Sequence, residues 1–150
     1  GTATTVMNIT VGTVAPVFSQ IGPLCQYSTA PELPLFSNNT TPIKGYWDPP
    51  LIYTYSPGSL VYTFYPYPGQ SADGTTMTIT INPAPVPLFA PVGPFVAGTA
   101  INPLPVTSTN SISGVWNPVI NNISSATYTF TPNGGQCGTK TWQTITIVNN

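Results

Sequence analysis

Residues 62–81 read YTFYPYPGQSADGTTMTITI, and residues 128–147 read YTFTPNGGQCGTKTWQTITI. The second phrase restates the first: Tyr62, Thr63, Phe64, Pro66, Gly69 and Gln70 return as Tyr128, Thr129, Phe130, Pro132, Gly135 and Gln136. Each phrase opens and closes on apolar residues alternating with polar ones, the period of a strand with one buried face. Between the two alternating runs lie YPGQ or NGGQ, which supply the conformations Gly and Pro favour in turns. One short chain has written the same strand–turn–strand phrase twice and changed Ser71 into Cys137 on the second writing.

The repetition extends through the chain, as self-similarity at a fixed period does in repeat architectures. VFSQIGPLC (residues 17–25) falls on LFAPVGPFV (residues 88–96), pairing Phe18 with Phe89, Ile21 with Val92, and Gly22-Pro23 with Gly93-Pro94. Leu33-Pro34 falls on Leu104-Pro105, and IKGYWDP (residues 43–49) on ISGVWNP (residues 112–118), with Gly45/Gly114, Trp47/Trp116 and Pro49/Pro118 identical. A third, partial match stands at the start. TVMNITV (residues 5–11) aligns with TTMTITI (residues 75–81) through Thr5/Thr75, Met7/Met77, Ile9/Ile79 and Thr10/Thr80. The organisation read from this is residues 1–13, a terminal strand of a preceding repeat plus linker; residues 14–82, repeat one; and residues 83–150, repeat two. The stretches 12–16 and 82–87, rich in Pro, read as short stiff linkers. Six or seven short strands per unit, with turn signals every ~8–12 residues, argue for a small β-sandwich.

Composition agrees and excludes much. Hydrophobic residues make up 41% of the chain, so packed cores are expected, but charged residues make up only 3%, against roughly 25% in ordinary soluble domains. Thr, Ser, Asn and Gln must form the polar surface, and 19 Pro with 13 Gly divide it into short segments. No 3.6-period stripe occurs, so the class is all-β. With Lys44 and Lys140 as the only basic side chains, there is no footprint for a phosphate backbone, and nucleic acid is excluded as a partner. No apolar run reaches the ~18 residues of a membrane span.

The order of these motifs resembles the tandem Ig-like repeats of very large secreted surface adhesins of Bacteroidetes, of the gliding-associated type. In repeat one the residues that carry the resemblance are Phe18, Pro23, Cys25, Leu33, Pro34, Gly45, Trp47, Pro49, Tyr62, Thr63, Phe64, Pro66, Gly69, Gln70 and the closing TMTITI. In repeat two they are Phe89, Pro94, Leu104, Pro105, Gly114, Trp116, Pro118, Tyr128, Thr129, Phe130, Pro132, Gly135, Gln136, Cys137 and QTITI. The resemblance implies two tandem Ig-like β-sandwiches at a cell surface, secreted and extracellular, with neighbouring repeats or identical subunits as end-to-end partners.

It also implies a cysteine pair in each unit, one early and one after Gly-Gln. Here each copy keeps a different half: Cys25 faces Ser71, and Cys137 has Val96 in place of its partner. The expectation is therefore that Cys25 and Cys137 are unpaired within the chain, either as buried thiols or bridged to another chain. On that reading a Cys25–Cys137 bond would contradict the tandem alignment.

Chemistry is scarce. The chain has no His, the commonest general base and metal ligand. Glu32, Asp48 and Asp73 are the only acids, and none sits in a paired-carboxylate or calcium-loop pattern; Asp48, matched by Asn117, reads as a turn cap. No catalysis, metal or cofactor is expected. Trp47 and Trp116 recur and read as core. Tyr53, Tyr55, Tyr65 and Tyr67 have no Tyr counterparts in repeat two and are candidates for surface contact, with a protein neighbour or with surface glycans. Sequons stand at Asn8, Asn38, Asn39 and Asn122. Three functions remain open: a structural repeat of a long adhesin or surface filament; a pilus-like subunit joined by donor-strand pairing through Thr5, Met7, Ile9 and Val11; and a carbohydrate-binding module using the exposed tyrosines.

Overall fold

The computed structural model describes residues 1–9 and 11–149; Thr10, in the segment 5–11, and Asn150 lie outside the described residues. The fold is all-β. Its strands are β1 (Leu24–Cys25), β2 (Gly45–Asp48), β3 (Gly58–Pro66), β4 (Thr75–Asn82), β5 (Phe95–Val96), β6 (Gly114–Asn117), β7 (Ala126–Pro132), β8 (Thr141–Ile145) and β9 (Ile147–Val148). No helix among the described residues is long and apolar enough to cross a membrane. The chain divides into two compact units, one formed by Gly1–Leu24 with Thr29–Ile81, the other by Cys25–Ser28 with Asn82–Asn150.

In the first unit the sheet runs β4-β3-β2, with Leu24 of β1 beyond β4. The antiparallel registers Trp47↔Phe64 and Tyr62↔Met77 put one alternate set of side chains on a common face. That face buries Trp47, Tyr62, Phe64, Met77, Ile79 and Ile81 together with Leu33, Ile43 and Ile52. At its centre Phe18 meets Trp47 and Phe64 edge-on, at ring-centroid distances of 4.8 and 4.7 Å. Such pairs contribute ~0.5–1.5 kcal/mol beyond the area they bury.

The second unit repeats this plan. β6-β7-β8 form an antiparallel sheet, and β5 pairs in parallel with β9. β8 and β9 together occupy the place of β4, interrupted at Thr146. There the Ser125 hydroxyl accepts from the Ile147 backbone N–H (2.8 Å), a side chain standing in for a ladder bond. Phe89, Trp116 and Phe130 reproduce the aromatic trio at 4.8 and 4.7 Å.

Polar groups at corresponding places of the two copies brace the backbone in both units. The Gln70 carboxamide accepts from the Lys44 N–H (2.8 Å) and donates to the Lys44 carbonyl (2.7 Å); Gln136 holds Ser113 the same way at 3.0 and 3.1 Å. Trp47 Nε1 donates to the Pro34 carbonyl (2.8 Å) and Trp116 Nε1 to that of Pro105 (2.9 Å), so each indole satisfies its one donor. Asn39 accepts from the Val17 N–H, and Asn110 from that of Leu88. Gly45 and Gly114 are obligatory for lack of space: a Cβ at either would run into the carbonyl of Tyr65 or Thr131 and the ring of Phe64 or Phe130.

Four expectations need correction. The hydrogen-bonded strands number fewer than six or seven per unit, because segments such as 15–43 carry Pro16, Pro23, Pro31, Pro34 and Pro42 and cannot donate a continuous ladder; they cover the core as irregular chain, burying Leu33 and Ile43. Asp48 and Asn117 do not act as turn caps through their side chains; each ends a strand and precedes a cis proline, Pro49 or Pro118. Trp116 is only half-buried, unlike Trp47.

The fourth correction is the largest: Cys25 and Cys137 are not unpaired but form a disulfide, with Cα atoms 5.1 Å apart. The bond lies inside the second unit, to which Cys25–Ser28 belong. The Gln26 N–H donates to the Asn82 carbonyl (2.8 Å) and the Thr139 N–H to that of Pro85 (3.1 Å), so the few residues from Asn82 to Pro85 carry a neighbour of Cys25 at one end and a neighbour of Cys137 at the other. The duplicated geometry is intact beside the bond. The error lay in seeking each cysteine's partner only within its own copy.

Candidate functional site: an exposed aromatic ledge

The residues singled out in the sequence separate into three places. Thr5, Met7, Ile9 and Val11 lie in a segment with no assigned strand among the described residues, and Met7, Ile9 and Val11 are exposed. Cys25 and Cys137 form the disulfide described above. The tyrosines split. Tyr53 and Tyr55 are exposed in the irregular stretch before β3, alternating with buried Ile52 and Thr54, and do not join the other two.

Tyr65 and Tyr67 instead gather with three residues the sequence reading missed: Tyr46, Phe36 and Lys44. Alternation explains the placement. Trp47 and Phe64 are cross-strand partners pointing into the core, so Tyr46 and Tyr65, the adjacent partners, point outward. Their rings stack at 5.4 Å with an interplanar angle of 25°, and Tyr46 lies 5.8 Å from Tyr67. Lys44 Nζ sits 5.6 Å from the Phe36 ring centroid and 5.9 Å from that of Tyr67, within cation–π range. All four rings are substantially exposed: Phe36 53%, Tyr46 47%, Tyr65 43% and Tyr67 42%. The signal available in the sequence was the pairing of KGYW with TFYPY, in which inward Trp47 and Phe64 force Tyr46 and Tyr65 onto one outer face.

The backbone beneath this ledge is fixed. Gln70 clamps both polar groups of Lys44 and also donates to the Tyr67 carbonyl (3.1 Å), while the Tyr67 N–H donates to the Lys44 carbonyl (3.0 Å). The second unit has the same frame and none of the rings. Its Thr107–Ser113 bridge matches Phe36–Lys44, its Val115↔Thr131 pair matches Tyr46↔Tyr65, and Asn133 donates to Ser113 as Tyr67 does to Lys44.

Of the sequons, Asn39 and Asn122 use their carboxamides within the fold, donating to the carbonyls of Ala15 and Thr99. Asn38 donates to the Ser19 hydroxyl. Set against known protein families, curated proteins and solved structures, the chain matches none.

Proposed function

We propose that the chain is a structural module of a long extracellular adhesin or cell-surface filament, in which paired Ig-like sandwiches give reach and surface attachment without catalysis. The observation that carries this reading is the duplication of the bracing itself: the same aromatic trio, Gln clamp and indole–carbonyl bond in both units. Polar side chains that could do chemistry are instead committed to holding backbone. The Cys25–Cys137 bond favours an oxidising compartment such as the cell exterior. Immunolabelling of intact cells that produce the protein should reach it without permeabilisation; label appearing only after permeabilisation would sink the reading.

The exposed apolar side chains of Met7, Ile9 and Val11 favour a second reading, in which residues 5–11 complete a sheet in a neighbouring repeat or subunit. Covering each such side chain is worth ~1.5–3 kcal/mol, and an unpaired strand invites pairing. Removing residues 1–11 should leave both units folded and abolish any end-to-end association seen by sedimentation. Unchanged association would exclude the pairing.

A further inference from the structure

We infer that the ledge of Phe36, Lys44, Tyr46, Tyr65 and Tyr67 is a binding site for an acidic polysaccharide, a sugar polymer carrying carboxylates. The structural-module reading does not depend on it. Three features point to this ligand. First, ring faces with polar hydroxyl tips suit a sugar, whose apolar C–H face stacks on an aromatic ring while its hydroxyls take hydrogen bonds at the rim. Tyr46 and Tyr65 stack on each other with Tyr67 tilted beside them, and each of the three rings keeps 42–47% of its surface exposed for such a contact.

Second, Lys44 is one of only two basic side chains in the chain, and among the described residues the contacts of its ammonium are to aromatic rings, with no ion pair. Its ammonium is held between the Phe36 and Tyr67 rings, a cation positioned on a sugar-stacking surface. A second copy of this protein is a poor complement, since the chain offers just Glu32, Asp48 and Asp73; a polyanionic glycan supplies a carboxylate at every repeat. Third, the ledge is built on a backbone clamped by Gln70, so little ordering is lost when a ligand lands. The second unit keeps the clamp and replaces the five side chains by Thr107, Ser113, Val115, Thr131 and Asn133. The rings are therefore not needed to build this corner of the fold.

The second unit also dictates the control. The variant Tyr46→Val/Tyr65→Thr/Tyr67→Asn carries the residues that unit already tolerates at those places, and Lys44→Ser does the same for the cation. Affinity electrophoresis of the 150-residue chain through gels containing polygalacturonate or neutral dextran should show retardation of the parent by polygalacturonate, weakened by added salt. The triple variant should lose about tenfold in affinity, the scale of one or two lost stacking contacts. Lys44→Ser should remove the preference for the acidic polymer. Parent protein that is not retarded, or a triple variant retarded like the parent, would overturn the proposal. So would sedimentation in which the parent self-associates through the ledge and the triple variant does not. Should the triple variant fail to fold, Lys44→Ser, altering one exposed side chain, decides alone: an undiminished preference for polygalacturonate refutes the site.

Discussion

The two units share a frame and differ in how it is filled. In the first, the inner face of the strand after the Gly-Gln turn is Met77, Ile79 and Ile81, all buried. In the second the same places hold Gln143, Ile145 and Ile147; Gln143 donates to the Ala90 carbonyl (3.0 Å) and leaves its own Oε1 buried without a partner among the described residues. The aromatic trio is closed over by the first unit, with Trp47 buried, and left half-open by the second, with Trp116 half-exposed. The second unit has what the first lacks, a covalent cross-link. An apolar core and a disulfide are alternative ways to hold a domain of roughly 70 residues, a size at which packing alone is marginal.

That contrast can be broken most sharply at the tryptophans. Trp47→Ala should destabilise the first unit by ~3–5 kcal/mol, the usual cost of truncating a buried Trp, and Trp116→Ala should cost its unit clearly less. Hydrogen exchange, read separately on β2–β4 and β6–β8, resolves the two units where a single melting curve would not. Equal losses would mean that the difference in burial is unimportant.

Removing the cross-link by Cys25→Ala/Cys137→Ala should weaken protection across β6–β9 by about 2–4 kcal/mol and leave β2–β4 nearly unchanged. An equal loss in both units would contradict the placement of Cys25 with the second. The shared frame makes the opposite prediction at the glycines. Gly45→Ala and Gly114→Ala push a methyl into the same carbonyl-and-ring corner, and each should cost its own unit about 1–3 kcal/mol. A large disparity would show that the two corners are not equivalent.

The smallest effect is a gain. Gln143→Met restores the first unit's residue and removes a buried oxygen with no partner, so the second unit should gain about 1 kcal/mol; a loss in thermal scans would mean that the carboxamide's bond to Ala90 outweighs it.

Much of this was legible in the sequence because the duplication exposed it. Gly45, Trp47, Tyr62, Phe64 and Gln70 stood out by recurring, and each proved to be a frame residue whose job is fixed by sterics, by burial or by bonds to the backbone. The ledge was less legible because it is what the copies do not share. Tyr65 and Tyr67 were visible as odd tyrosines, but Tyr46 joins them only through the β2–β3 register, and Lys44 and Phe36 through the isolated bridge between them. Tyr53 and Tyr55 share with them only the lack of a Tyr counterpart in the second copy, and the buried Ile52 and Thr54 turn that stretch elsewhere. The disulfide was misread for a different reason. The resemblance implies a pair within each copy, where Ser71 and Val96 stand in the partner places, while the two cysteines are brought together by backbone bonds of Asn82 and Pro85, at the junction of the two copies in the sequence.

That bond is also where the account is most exposed, since the stapled second unit rests on it and the extracellular reading draws on it. Peptide mapping of the natively produced protein, alkylated before unfolding and digested without reductant, tests it directly. A single linked pair joining the Cys25 peptide to the Cys137 peptide is the predicted result. Two alkylated cysteines, or either one bridged to a second chain, would contradict it.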